Sequence, residues 1–183
     1  FCGYQRRHDK NFAKLAKLCH EGAIGPVACI RSCSRDWPIP TLAYLKISGG
    51  MVHDCGSHDI DICRWLAGED PEEVFCFGSC FNKDIKKLDD VDVVLCTLKF
   101  PNGILASIDI ARKAVYQYDQ RIEVLGDDGL LEAYNELDTT VILSNREGRR
   151  ADVNQYSFQQ RYRETYPAEL AHFAAVVRGE CEP

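Results

Sequence analysis

Apolar positions along the chain change period four times, and each change predicts a different element. After Asp9, a residue suited to cap a helix, Phe12, Leu15, Ala16 and Cys19 recur with the helical period, and Gly22 suits the helix end. Val27 to Ser34 is rich in small and β-branched residues and predicts a strand, which Trp37-Pro38-Ile39-Pro40 breaks. Residues 41–50 read as a loop closing on Gly49-Gly50. A helix is then predicted from about Met51 to Leu66, with Ile62, Trp65 and Leu66 among its apolar positions and Gly68 as its stop. From Pro71 to about Asn154 the pattern is that of strands and turns. Strands are predicted at 72–82, 91–100, 104–112, 118–126, 129–135 and 139–145. The turn signals are Pro101-Asn102-Gly103, Asp127-Asp128-Gly129 and Asn145-Arg146-Glu147-Gly148. A last helix over 157–178 carries Phe158, Tyr162, Leu170, Phe173, Val176 and Val177, and Pro167 predicts a kink or break within it.

Helices, then a meander of strands, then a helix give an α+β fold. Short connections make a mainly antiparallel open sheet with helices on one face. Strand 91–100 is apolar on both faces (Val91, Val93, Val94, Leu95, Cys96, Leu98), so the second face is expected to meet a partner rather than water. That partner is most simply another copy, a homo-oligomer through the open sheet. Phe1-Cys2-Gly3-Tyr4 opens inside an apolar run read as a strand closed by Arg6-Arg7, and Cys181-Glu182-Pro183 comes directly after the last helix. Both ends therefore read as cuts from a longer protein.

Composition narrows the function classes. With 183 residues, 45% hydrophobic and 27% charged, the chain is ordinary for a globular domain and long enough for a filled core. No apolar stretch approaches the roughly 20 residues that span a bilayer. A formal net charge of -6 argues against nucleic-acid backbones as partners, and no basic amphipathic stretch suits an anionic membrane surface. The ten cysteines form no Cys-x-x-Cys pair. Cys29/Cys33 and Cys76/Cys80 are four apart, roughly 13 Å along a strand, too far for a shared metal or a disulfide. The expected state is buried, reduced thiols, hence a cytoplasmic protein.

One segment holds candidate chemistry: Gly49-Gly50-Met51-Val52-His53-Asp54-Cys55-Gly56-Ser57-His58-Asp59-Ile60-Asp61. On a helix Asp54, His58 and Asp61 share one face. A carboxylate one turn from an imidazole is an acid–base unit, the acid orienting the ring and tuning its pKa. The same three residues would also suit a divalent ion, and the plainest alternative is a solvated pair on a helix surface. Arg6 and Arg7 read either as anchors for hydroxyls or an anion, or as solvated charges. Tyr116 and Tyr118 read as packing or as ligand contacts. No Gly-x-Gly-x-x-Gly, Gly-x-Ser-x-Gly or P-loop occurs, so no dinucleotide-binding half is legible.

Taken in order, Gly3-Tyr4-Gln5-Arg6-Arg7-His8-Asp9, Gly22-Ala23-Ile24-Gly25, Ser34-Arg35-Asp36, the Gly49 to Asp61 stretch, Tyr118-Asp119-Gln120-Arg121 and Glu123-Val124-Leu125-Gly126 resemble the oxidoreductase family of glucose–fructose oxidoreductase and inositol 2-dehydrogenase, its inositol 2-dehydrogenase-like members above all. The similarity runs to Tyr166 and Glu169-Leu170. It implies a Rossmann domain paired with a C-terminal α+β domain of this kind. Residues 1–22 would be the last strand and crossover helix of the nucleotide-binding domain, and 23–183 the substrate-binding and oligomerisation domain. It implies Asp54 and His58 as catalytic residues, His58 taking the hydroxyl proton and Asp54 orienting it, with Arg6 touching substrate and Tyr118 lining the pocket. The full-length protein would oxidise a secondary alcohol of a cyclic polyol or sugar with NAD or NADP. The family's catalytic lysine in Glu-Lys-Pro and its glycine-rich loop are missing from this sequence. No cofactor-binding residue is therefore assigned, no metal is expected, and the chain alone is expected to be inactive. The competing readings are a non-catalytic self-association module and a metal-dependent hydrolase or isomerase using Asp54, His58 and Asp61.

Overall fold

The computed structural model describes residues 1–182, so Pro183 of the chain's end lies outside the described residues. Asp9 caps helix α1 (Lys10–His20), its carboxylate accepting the Asn11 and Phe12 backbone N–H groups at 3.0 and 3.1 Å. The amphipathic stripe Phe12, Leu15, Ala16 and Cys19 is buried, as its spacing requires. Strand β1 (Val27–Arg35) comes next, then a short helix α2 (Leu42–Leu45) within the stretch expected to be loop. Thr41 caps α2, but one turn is too short to leave a periodic signal in the sequence. Helix α3 (Ser57–Ala67) is entered through a π-helical turn, Val52–Gly56, and ends at Gly68.

Six strands make the main sheet: β1 with β2 (Glu73–Ser79), β3 (Val93–Lys99), β4 (Leu105–Ala111), β5 (Asp119–Gly126) and β6 (Gly129–Ala133). Their order is β2-β3-β4-β1-β5-β6. Every neighbouring pair is antiparallel except β1–β4, which is parallel because the whole α2-to-β3 segment connects the two strands. A separate exposed ribbon pairs β7 (Ile142–Asn145) with β8 (Gly148–Ala151), a strand the polar sequence Gly148-Arg149-Arg150-Ala151 did not announce. Another unannounced turn of helix, α4 (Lys83–Lys86), joins β2 to β3.

Burial alternates along the central strands. Ile30, Ser32 and Ser34 of β1, Val94, Cys96 and Leu98 of β3, Ala106, Ile108 and Ile110 of β4 and Gln120, Ile122 and Val124 of β5 face inward. Helices α1 and α3 cover that face, and their buried residues join the strands in one apolar core. The other face is open, with Phe77 71% and Leu95 58% exposed. This is the mainly antiparallel open sheet, helices on one face, that the sequence pattern predicts.

Three expectations are corrected. Residues 1–4 form no strand, and Gln5–His8 is a single 3-10 turn, because Arg6 turns inward to buried partners instead of continuing an extended run. The last helix is two, α5 (Phe158–Arg161) and α6 (Thr165–Val177). Pro167 falls in the first turn of α6, where its missing N–H costs nothing, and the break lies ahead of it at 162–164. The cysteines are not all reduced: Cys76 and Cys96, register partners across β2 and β3, are joined in a disulfide. Twenty residues separate them, so only strand pairing brings them together.

The Asp9 carboxylate also binds the buried Arg161 guanidinium, Nη1 and Nη2 both donating to it, and so ties α1 to α5. Asp9→Ala removes the helix cap and strands a buried cation. It should cost roughly 3–5 kcal/mol in urea unfolding, with Asp9→Asn recovering the cap's share of about 1 kcal/mol.

Candidate active site

The inward residues at the ends of the two parallel strands, the π-helical turn and the Gln5–His8 turn all meet at one cavity of about 500 Å³. Gly49 and Gly50, both left-handed at φ +83° and +88°, turn the chain into the π-helical segment, a conformation that a side chain would strain. The Asp54 N–H then donates to the Gly50 carbonyl at 3.0 Å. The π-helical turn carries Asp54 and leads directly into α3, which carries His58.

Arg6, Asp54, His58 and Tyr118 all line this cavity. Arg6 is 5% exposed, donating from Nη1 to Asp59 Oδ1 at 2.8 Å and from Nη2 to Ser34 Oγ at 2.7 Å. Ser34 Oγ donates in turn to Gln120 Oε1, and Ser32 Oγ donates to the same Asp59 oxygen at 2.6 Å. Burial opposes the Arg6 charge, but Asp59 beside it more than offsets this and raises its pKa, so the cation persists. The Tyr118 phenol is pushed well above its ordinary value by burial and stays protonated.

His58 has its Nδ1 buried with no hydrogen-bond partner, which leaves Nε2 as the nitrogen a ligand can reach. Burial, and then the Arg6 charge, lower its pKa below 6.5, while Asp59, Asp61 and Asp54 pull the other way. The ring is therefore neutral near pH 7 and able to accept a proton.

Asp54 and His58 share the cavity without a hydrogen bond between them. Asp54 is instead held by Arg112 Nη1 at 2.6 Å on Oδ2 and by the Tyr44 hydroxyl at 2.5 Å on Oδ1. That bond, and then burial, push the Tyr44 phenol up to about 12. Asp61, expected on the same face, is elsewhere: Arg7 donates to its two oxygens at 2.9 and 2.7 Å. The ligand set Asp54, His58 and Asp61 is thus not assembled, and no group of three potential metal ligands occurs among the described residues. Tyr116 lies outside the cavity, its hydroxyl donating to Asp119 and accepting from Arg35.

Two charged cavity residues were given no role from sequence. Asp36 comes directly after β1 and accepts from the Cys55 thiol at 3.2 Å, and Arg112 comes directly after β4 and is 1% exposed. A signal for both exists. Asp36 continues the inward phase of Ile30, Ser32 and Ser34, and Arg112 that of Ala106, Ile108 and Ile110. A charged residue in phase with a buried stripe is a candidate for the site. Burial raises the Asp36 carboxyl above its ordinary value, against the thiol hydrogen bond and Arg112.

A family model for the GFO/IDH/MocA C-terminal domain matches residues 12–132. The chain belongs to this oxidoreductase family. It is 43% identical over 179 residues, 97% of this chain and 54% of the relative, to a myo-inositol 2-dehydrogenase of Thermotoga maritima. It is 31% identical over 182 residues, 99% of this chain and 53% of the relative, to a scyllo-inositol 2-dehydrogenase (NAD(+)) of Bacillus subtilis. The crystal structure of a probable dehydrogenase from Thermotoga maritima superposes with a TM-score of 0.96 at 42% identity, covering 100% of this chain and 56% of that one. The chain thus spans about half the length of the curated relatives it matches. The family fold and the mixed, mainly antiparallel sheet agree with the resemblance read from the motifs.

Because Asp54 favours the imidazolium only through space, Asp54→Asn should lower the His58 pKa further. An NMR titration of the ring should show a midpoint below 6.5 in the native protein and lower still in the variant. An unchanged or raised midpoint would contradict the assigned electrostatics.

Proposed function

We propose that this chain is the substrate-binding half of a nicotinamide-dependent dehydrogenase that oxidises a secondary alcohol of a cyclic polyol. The observation that carries the reading is the neutral, reachable imidazole of His58 in one cavity with the Arg6 cation, the Tyr118 phenol and two carboxylates. A cyclic polyol has a rim of hydroxyls and faces of C–H. The cavity lining offers partners for both, charged and hydroxyl groups together with Trp37, Pro38, Ile39, Pro40 and Phe158.

In this mechanism Arg6 and Tyr118 donate to substrate hydroxyl oxygens, and the Asp54 carboxylate accepts from a hydroxyl and fixes the ring's register. His58 accepts the proton of the reacting hydroxyl at Nε2 while the hydride leaves the same carbon, so that alcohol becomes ketone and one proton stays on the imidazole. A nicotinamide coenzyme supplies the hydride acceptor when bound. This chain fits its reacting end only, through the His58 cavity, because no glycine-rich nucleotide loop occurs in the 183 residues. The name of the Bacillus subtilis relative favours NAD over NADP. Residues 1–22 would belong to the junction with the nucleotide-binding domain and 23–183 to the substrate domain, which leaves the chain inactive alone. The exposed Phe75, Phe77 and Leu95 on the open sheet support self-association of the full-length protein through that face. No helix among the described residues is long and apolar enough to cross a membrane, and a cytoplasmic enzyme is part of the proposal.

The full-length protein given myo-inositol and NAD should generate reduced nicotinamide, monitored by absorbance. His58→Ala should cut kcat by about 10²-fold or more with the fold intact by circular dichroism. The acid limb of kcat/KM should fall below pH 6.5, since the lowered His58 pKa keeps the base neutral down to that region. Normal turnover in His58→Ala would refute its role as base.

A further inference from the structure

The two central parallel strands run out together, and a charged residue continues the inward face of each. In the β1–β4 register Ser34 pairs with Ile110 and Arg35 with Ala111. The Asp36 N–H continues the ladder to the Ala111 carbonyl at 2.8 Å, and the Ala114 N–H returns to the Asp36 carbonyl at 2.8 Å. Register alone therefore sets Asp36 beside Arg112 on the inward face. The Arg112 backbone N–H is itself fixed on the Asp92 carbonyl at 2.9 Å. From there the side chain reaches the π-helical turn.

Its hydrogen bonds are unevenly distributed. Nη1 donates to Asp54 Oδ2 at 2.6 Å and to Cys55 Sγ at 3.0 Å, and lies 3.6 Å from Asp36 Oδ2. Nε and Nη2 are buried with no partner. A purely structural arginine spreads its donors over backbone carbonyls, whereas every side-chain bond of this one converges on the turn that leads into the His58 helix. The two carboxylates it joins come from different elements and have like charge. Without the cation they would repel, and one would take up a proton.

We propose that Arg112 is a positioning residue of the alcohol-oxidising site, clamping Asp54 and Asp36 together at the cavity floor and setting the entry of the helix that carries His58. This rests on the dehydrogenase reading above, and it adds a residue that touches neither substrate nor coenzyme. The charged and titratable groups around the clamp are Arg6 from the first turn, Cys55 on the π-helical turn, Tyr44 from α2, His58 from α3 and Tyr118 just before β5, besides the two carboxylates. Burial opposes the Arg112 charge, and Cys55, Asp54 and Asp36 together more than offset it, so the clamp stays cationic over the working pH range.

The test uses the full-length enzyme with myo-inositol and NAD. Arg112→Gln removes the charge at similar size. It should lower kcat about tenfold or more, leave KM less affected, and move the acid limb of kcat/KM to higher pH, because the loss of a cation from the cavity makes the His58 ring and Asp36 easier to protonate. Arg112→Lys keeps the charge and should return the limb towards its native position. A Gln variant with native kcat and native limb, altered only in melting temperature, would overturn the proposal. Should the Gln variant not fold, the Arg112→Lys and Asp54→Asn effects on kcat/KM should be markedly non-additive in a double-mutant cycle, and additivity would overturn it. Carboxyl 13C titration of Asp36 reads the clamp without substrate, with its midpoint expected to rise in Arg112→Gln. Native full-length protein that oxidises no cyclic polyol would instead sink the dehydrogenase reading, a result distinct from an active enzyme indifferent to Arg112.

Discussion

The buried Arg6 guanidinium is the contact on which the site's geometry rests. It sits between Ser34 of β1 and Asp59 of α3, and Ser34 hands the connection on to Gln120 of β5. Four elements are thereby held by one cation that water barely reaches. A buried ion pair gains little over a well-packed apolar alternative, yet breaking one partner away costs several kcal/mol. Its value here is therefore specificity: it fixes where α3 lies over the sheet, and with it His58. Burial, and then the same charge, lower the His58 pKa and keep the imidazole neutral.

The cavity is electrostatically divided. Arg6 and Asp59 form one buried pair, Arg112 with Asp54 and Asp36 a second cluster, and His58 lines the same cavity with its Nδ1 unbonded. Carboxylates that carry their own cations do not force the imidazole into its charged form. That separation differs from the simple acid–imidazole couple suggested by the i, i+4 spacing, because Tyr44 and Arg112 donate to the two Asp54 oxygens. A neutral imidazole of lowered pKa can accept a proton, as the proposed reaction requires.

Much of the fold could be read from periodicity. The Asp9 cap, the α1 stripe, the alternating strands and the Gly68 stop are local signals, decided by residues within one or two turns of each other. The short helices α2 and α4 and the ribbon strand β8 escaped because single turns and polar edge strands carry no period. Arg6 and Arg7 looked alike in sequence. One is buried against Asp59 and Ser34 in the site, the other half-exposed on Asp61 outside it.

The sequence by itself determined the element types, the α+β class and, through its ordered motifs, the family, and it singled out Arg6, Asp54, His58 and Tyr118, which line one cavity. Tertiary structure alone decided which charges meet. Asp61 left the expected triad for Arg7, Cys76 found Cys96 across a ladder, and Asp36 met Arg112 through a parallel register between strands far apart in the chain. Local sequence sets each residue's own face and period, whereas electrostatic partnership depends on distances between elements that only the packed sheet and its helices fix.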